Sequence, residues 1–431
     1  MWIRKQIEIG WSDLLFALNV SFFSRLPDRR NALSLIAKIW PENDPVVSLS
    51  VRTGFDCMLQ SVRWPTGSEV IMSGLTIPDM PRIVERNGFR VVPVDINEAT
   101  MAPDVDAVAR AITPYSKALV IAHLFGKRIP LEPFAELAKK HNLLLIEDCA
   151  QAFSAGDSGS SIANVSMFSF GPIKSSTALG GGILQIRDDE IRNRMRSIES
   201  TYPQHSNRKF GRRVLKYLGI KAASNRRCAG LLFSALRVAG YNPDRVVSSL
   251  ARGFAGSDFF ARIRQQPSTA LLSLLARRLQ SFDSLALNRR IAQANRLSYR
   301  LNNLRLAGSS SKVSESLATV DSSESTYWVT PVCTRDARSA QQLVAELSQH
   351  GFDATRRSSL SVVEPTRPAK SPAISATQIT ALPVASSIVD RMVFLPLCDG
   401  MQVSDLDQMA RIANRVCSRS SQNVPSLLRF E

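Results

Sequence analysis

The sequence lacks any cysteine arrangement that would hold a metal, and it lacks an apolar run long enough to cross a bilayer. Its six cysteines, Cys57, Cys149, Cys228, Cys333, Cys398 and Cys417, lie far apart and several fall inside apolar runs. That pattern suits buried free thiols in a reducing compartment and offers no zinc-ligand spacing. The opening stretch "MWIRKQIEIGWSDLLFALNVSFF" has neither a sustained apolar core nor a small-residue cleavage site. It therefore argues against a signal peptide and a spanning helix, and predicts a cytoplasmic protein. Zinc-finger spacing and the aromatic signature of RNA-binding sheets are missing too, which makes nucleic acid an unlikely partner.

Acid is also in short supply. The 431 residues carry 54 Lys and Arg against 37 Asp and Glu, a formal net charge of +17. Such an excess favours an acidic partner, either an anionic membrane face or a phosphorylated ligand. The hydrophobic fraction of 44% with 21% charged residues is that of a globular chain with a sizeable core. The length allows two or three domains, or one large domain with a smaller one attached.

From Glu69 onward short apolar runs alternate with helical patterns. "EVIMS", "FRVVPVDI", "ALVIAHLFG", "LLLIEDCAQ", "VSMFSF" and "GGILQI" read as strands, while "MPRIVERNG", "VDAVARAI" and "LEPFAELAKKH" read as helices. This order predicts right-handed crossovers and a mostly parallel sheet covered by helices on both faces. Ligands of such sheets bind beyond the carboxyl ends of the strands. Those ends carry His123, Glu147 with Asp148, and Ser169 followed by Lys174, so three neighbouring strands point to one candidate site.

A lysine at such an edge can form a Schiff base with pyridoxal phosphate. That cofactor further requires a carboxylate to keep its ring nitrogen protonated, donors for its phosphate, and a flat neighbour for its ring. Asp148 is suited to the first requirement and Ser169 to the second. The blocks "IEDCAQ", "FSFGPIK" and "GGG" carry a specific resemblance to the DegT/StrS family of sugar aminotransferases, continuous from "VVSLSVRTGFDCML" to "GGGIL" and resuming in "VFLPLCDGMQVSDLDQMARIA". The resemblance implies the type I fold of pyridoxal-phosphate enzymes: a large domain with a mostly parallel seven-stranded sheet between helices, plus a small C-terminal α/β domain.

It further implies Lys174 as Schiff-base lysine and proton shuttle, Asp148 as partner of the pyridine nitrogen, Gln151 as a ring contact, Ser169 as a phosphate ligand, and His123 beside the cofactor. The activity implied is transfer of an amino group, by family habit from glutamate, to a nucleotide-linked keto sugar in a homodimer. The chain departs from the pattern in places. Ser50-Val51-Arg52-Thr53 replaces the usual phosphate-binding Ser-Gly-Thr, so Arg52 and Thr53 are expected at the phosphate, together with the first N–H groups of the following helix. Ile77 stands where an aromatic residue commonly stacks. Arg262 or Arg264 is the expected substitute for the arginine a partner subunit sends to the phosphate.

The expected domains are an N-terminal segment 1–45, a large cofactor-binding domain 46–200, a basic amphipathic insertion 201–256, a helical connection 257–310 and a small domain 311–431. Between Thr201 and Phe254 the only acid is Asp244. Such a segment packs its apolar face on protein or lies peripherally on an anionic membrane. The alternative to an aminotransferase is thus a catalytically altered relative that works as a membrane-surface or scaffold protein through this insertion.

Overall fold

The computed structural model describes residues 2, 7–23, 28–42, 44–223, 258–301, 304–306, 325–356, 359–364 and 381–422. The Ser-rich stretch 307–325 and the Pro-, Ser- and Thr-rich stretch 358–387 both read as loops; residues 307–324, most of the basic insertion, and residues 358 and 365–380 fall outside the described residues.

Two N-terminal helices, α1 (Trp11–Phe22) and α2 (Arg29–Ile39), precede the sheet. The large unit then runs β1 (Val46–Ser48), α3 (Val51–Ser61), β2 (Glu69–Ser73), β3 (Leu75–Thr76), α4 (Asp79–Arg86), β4 (Arg90–Val94), α5 (Val105–Ala111), β5 (Ser116–Ala122), α6 (Glu132–Lys140), β6 (Leu144–Asp148), β7 (Val165–Ser169) and β8 (Gly182–Ile186). Helices α7 (Asp189–Ser200), α8 (Asn207–Ala223), α9 (Phe259–Ile263), α10 (Thr269–Gln280) and α11 (Ser284–Arg300) follow. The last part holds β9 (Arg305–Leu306), β10 (Thr330–Cys333), α12 (Ala337–Gln349), β11 (Ser361–Val362), α13 (Pro383–Arg391), β12 (Met392–Leu395) and α14 (Val403–Gln422).

Seven strands form one sheet in the order β1-β8-β7-β6-β5-β2-β4. Only β8 runs against its neighbours. Alternation along the strands explains how both faces are buried. In β5, Ala118 and Val120 join the core under α3, α4 and α7, whereas Leu119 and Ile121 join the opposite core under α5 and α6. In β7, Val165 and Met167 face α3, while Phe168 faces the cluster built with α1, α2, α8 and α10. There Phe153 meets Phe168 and Phe170 edge to face, and Trp40 donates from Nε1 to Gln185 Oε1 at 3.1 Å. The N-terminal segment is therefore part of the large core.

A second sheet, β12-β10-β9, is antiparallel. Its core begins ahead of residue 311, the boundary expected from sequence. Leu297, Leu301, Leu304 and Leu306 pack with Val332, Leu343 and Val393, so the end of α11 and β9 belong to this core. The spacing of Ser404 and Asp407 in "SDLDQMARIANRVCS" reads as a capping box, but the structure uses other residues. Asp405 accepts from the N–H of Gln402, and Asp407 instead bridges Arg296 and Arg300. A third sheet has two strands, β11 and β3, paired antiparallel, and joins the last part of the chain to the large unit. Among the described residues no helix is long and apolar enough to cross a membrane.

Candidate active site

Strands β5 and β6 end level, with Ala122 opposite Asp148, and β7 runs two residues further, with Met167 opposite Asp148 and Ser169 at its end. Beyond β7 the chain makes a closed loop before returning as β8. Phe170 closes its base, donating to Gly181 O and accepting from the N–H groups of Ala178 and Gly180. Ser176 and Leu179 hold φ of 55° and 60°, left-handed values that non-glycine residues adopt only when their surroundings impose them. Arg278 donates to Thr177 O at 3.1 Å, Arg290 to Ser175 Oγ at 3.1 Å, and Trp328 Nε1 to Ile173 O at 2.7 Å. Lys174 thus sits on a braced loop.

Burial pulls the Lys174 amine down to about 7; Asp148 works to raise it and Arg52 to lower it. Burial pushes the Asp148 carboxyl up, opposed by the Ala150 N–H and the charges of Lys174, His123 and Arg52. An amine that is half neutral near pH 7 beside a carboxylate is equipped to take up and return a proton.

Glu147 and His123 belong elsewhere. Successive residues of a strand point to opposite faces, so Glu147 turns away from the side that Asp148 faces. His123 is buried, accepts at Nδ1 from the Ile129 N–H and donates from Nε2 to Glu147 Oε1 at 2.7 Å. Burial lowers its pKa, so it stays neutral. Burial works to raise the Glu147 carboxyl, but His123, the Ser160 N–H and Arg128 outweigh it and hold it down at about 2. Glu147, His123 and Cys149 lie close enough together to suggest a metal site, yet the Arg128 guanidinium contacts both Glu147 and Cys149 and supplies the positive charge. These two bonds fix the His123 ring in the wall at the end of β5, the strand end where the sequence places it.

Thr53 is also turned inward. Ser50 caps α3, accepting from the Thr53 N–H, and the two hydroxyls pair at 2.9 Å. Arg52 is bonded through Nε to Asp79 of α4, so it acts on Lys174 and Asp148 through its charge. Gln151 accepts from the Phe125 N–H at Oε1 (2.8 Å), and Ile77 packs half-buried just before α4. Arg264 is engaged within its own chain by the buried Asp56, through both Nε and NH2, because Asp56 carries a charge that needs a partner in the core.

Sequence reasoning missed Trp328. Its ring lies over the Lys174 ammonium, 3.8 Å from centroid to Nζ. The stretch "STYWVTPVCT" reads as a strand from its sequence, but the strand begins only at Thr330. Ahead of it the chain folds back onto the large unit, where Thr326 donates from N to Gly126 O and from Oγ1 to Gln151 O. A Cβ on Gly126, whose φ is 90°, would lie 2.4 Å from Thr326 Oγ1 and 3.0 Å from the Trp328 N. That position therefore requires glycine. The one local signal was an aromatic pair, Tyr327-Trp328, beside a domain boundary. Because burial is the largest influence on Lys174, Trp328→Ala is expected to let water in and move the pH midpoint of Lys174 acylation upward from about 7. Trp328→Phe should leave it in place; competitive amine labelling read by mass spectrometry measures both.

Residues 47–255 match the family model for the DegT/DnrJ/EryC1/StrS aminotransferase family. The match spans just under half of the chain, the part that carries the seven-stranded sheet. The chain is 35% identical over 144 residues to the pleiotropic regulatory protein of Geobacillus stearothermophilus, a match covering 32% of this chain and 39% of the relative. It is 35% identical over 133 residues to the GDP-perosamine synthase of Caulobacter vibrioides, covering 30% and 36%. The chain thus matches well under half the length of these curated relatives. Among solved structures it superposes on the aminotransferase TlmJ from Streptoalloteichus hindustanus with a TM-score of 0.67 at 19% identity, covering 97% of this chain and 100% of the other. At that identity the likeness is one of fold, and the fold is the type I arrangement expected from the sequence.

Pyridoxal phosphate, the cofactor the family implies, fits the residues present. A Cβ on Gly182 would lie 2.4 Å from the Val51 N. The glycine thus allows the amino end of α3 to rest on the start of β8, one strand from Ser169. The first N–H groups of α3, which the helix cannot use, the Ser169 hydroxyl and the nearby Arg52 charge make an anion-binding end. Asp148 and the low-pKa Lys174 make a proton-handling end.

Proposed function

We propose that this chain is a pyridoxal-phosphate-dependent aminotransferase that moves an amino group from an amino acid, glutamate in the first instance, to a keto sugar carried on a nucleotide. The observation that carries the reading is the buried Lys174 amine, with its pKa near 7, coupled to Asp148 at the strand ends of this fold. The sugar class is supported by relatives named dTDP-3-amino-3,4,6-trideoxy-alpha-D-glucose transaminase and GDP-perosamine synthase. A nucleotide diphosphate also suits the net charge of +17.

Pyridoxal phosphate, when bound, supplies an electron sink for the pair released as a Cα–H bond breaks. Lys174 would hold the cofactor through Nζ and, once freed, take a proton at Nζ and return it. Asp148 would stay ionised to keep a proton on the ring nitrogen. Ser169 and the start of α3 would bind the phosphate, and Gln151 and Ile77 would line the ring. Trp328 would exclude water above the amine, which keeps Lys174 neutral enough to act as base near pH 7. We read the protein as cytoplasmic and as a homodimer; free thiols at Cys57, Cys149, Cys333, Cys398 and Cys417 support the former.

A half-reaction tests the proposal. Glutamate or glutamine added to cofactor-loaded protein should bleach its near-visible absorbance, and one member of a panel of nucleotide-linked keto sugars should restore it. A protein that does not take up the cofactor would instead be a relative that kept the fold without the chemistry.

A further inference from the structure

Helix α1 is apolar on two sides. Leu14, Ala17 and Val20 are buried against the large core, yet Trp11, Leu15 and Phe22 are 50%, 60% and 39% exposed. These three fall at i, i+4 and i+11, one stripe of a helix, and Phe23 at its end is 82% exposed. A helix apolar all round needs a second covering. Beside the stripe runs α8, which buries Phe210, Val214 and Tyr217 and leaves Leu215 50% exposed. Its seventeen residues hold six basic side chains and no acid. Phe22 rests on Gly211, where a Cβ would come within 2.4 Å of its ring, and the Lys221 Nζ lies 5.8 Å from the Trp11 ring. The one acid of α1, Asp13, is buried and bridged to Arg277 and Arg278.

We propose that this α1–α8 face docks on an anionic lipid surface. Aromatic and leucine side chains enter the headgroup boundary while neighbouring lysines and arginines meet lipid phosphates. Charge complementarity selects this occupant. A second copy joined across a two-fold axis would set the basic row of α8 against itself, and like charges facing each other oppose association. The chain's own residues 224–257 carry five arginines against the single acid Asp244, so their composition offers no complement to the charge of α8. The contact is independent of the proposed chemistry, since it uses none of the residues at the strand ends.

Co-sedimentation of the full chain with phosphatidylglycerol vesicles, compared with phosphatidylcholine vesicles, tests this. Binding is expected to the anionic lipid alone and to fall as salt rises. The variant Trp11→Ser, Leu15→Ser, Phe23→Ser should lower partition by at least about tenfold, and Lys209→Glu with Lys216→Glu by a similar factor. Every substituted position is exposed and none is among the side chains that α1 and α8 bury, so circular dichroism should be unchanged. Brominated lipid should quench tryptophan emission in the wild type and fail to do so in Trp11→Phe. Absence of vesicle binding at low salt would overturn the proposal. So would binding that these variants leave intact, or a dimer that the triple variant converts to monomers without any lipid response.

Discussion

Replacing Lys174 by alanine is expected to lower turnover of amino donor and keto acceptor by about a thousandfold or more, because one amine performs two tasks. It tethers the cofactor and it carries the proton, and removing a positioned base alone costs about 10²–10⁴-fold. Steady-state kinetics gives the loss. Borohydride reduction of the loaded protein followed by peptide mass analysis should find the cofactor tag at position 174 in the wild type and no tag in the variant. Full activity in Lys174→Ala would remove the basis of the proposed function.

Removing the amine has an opposite effect on stability, with a defined pH window. In the folded chain the amine titrates at about 7, against an ordinary value of 10.5. Between those values the unfolded chain binds a proton that the folded chain does not, so this group makes stability rise with pH across that window. Below about pH 7 both states are protonated and the cost of burying the ammonium is felt in full. Lys174→Met should therefore raise the melting temperature of cofactor-free protein most at or below pH 7, with the gain shrinking toward pH 10. Thermal unfolding of the two proteins across that range checks the sign.

Asp148→Asn is expected to reduce turnover by about a hundredfold or more while leaving the fold intact. The amide has nearly the shape of the carboxylate and can still accept from the Ala150 N–H, but it has no charge to hold a proton on a ring nitrogen. The variant has a second signature. Asp148 raises the pKa of Lys174 through its charge, so neutralising it should move the pH midpoint of Lys174 acylation below about 7. Trp328→Ala moves the same midpoint the other way. Opposite shifts from two neighbours, one electrostatic and one through exposure to water, separate their contributions to a single amine. An unchanged midpoint in Asp148→Asn would mean that the carboxylate and the amine do not share a site.

Much of this arrangement could be read from residue order. Strands of alternating or continuous apolar residues, separated by helices at short spacing, can be satisfied only by a parallel sheet covered on both faces, and such a sheet aligns its strand ends. Asp148, Ser169 and Lys174 were therefore identifiable as neighbours before any coordinate was known. The opposed directions of Glu147 and Asp148 were legible as well, since adjacent residues on a strand face opposite sides, although residue type alone had suggested that both face the ligand.

What the sequence by itself determined is the set of elements, the edge at which they end and the pair of groups with the chemistry to act there. What only the tertiary structure decided is which polar neighbours are already engaged: His123 by Glu147 and the Ile129 N–H, Thr53 by Ser50, Arg52 by Asp79, Arg264 by Asp56. It also decided that Trp328, more than 150 residues from Lys174 in sequence, covers its amine. The physical reason lies in range. Periodicity and capping act over a few residues and leave a trace in local order, whereas a hydrogen bond or ring contact between distant segments depends on how whole layers pack, for which no short stretch of sequence carries a signature.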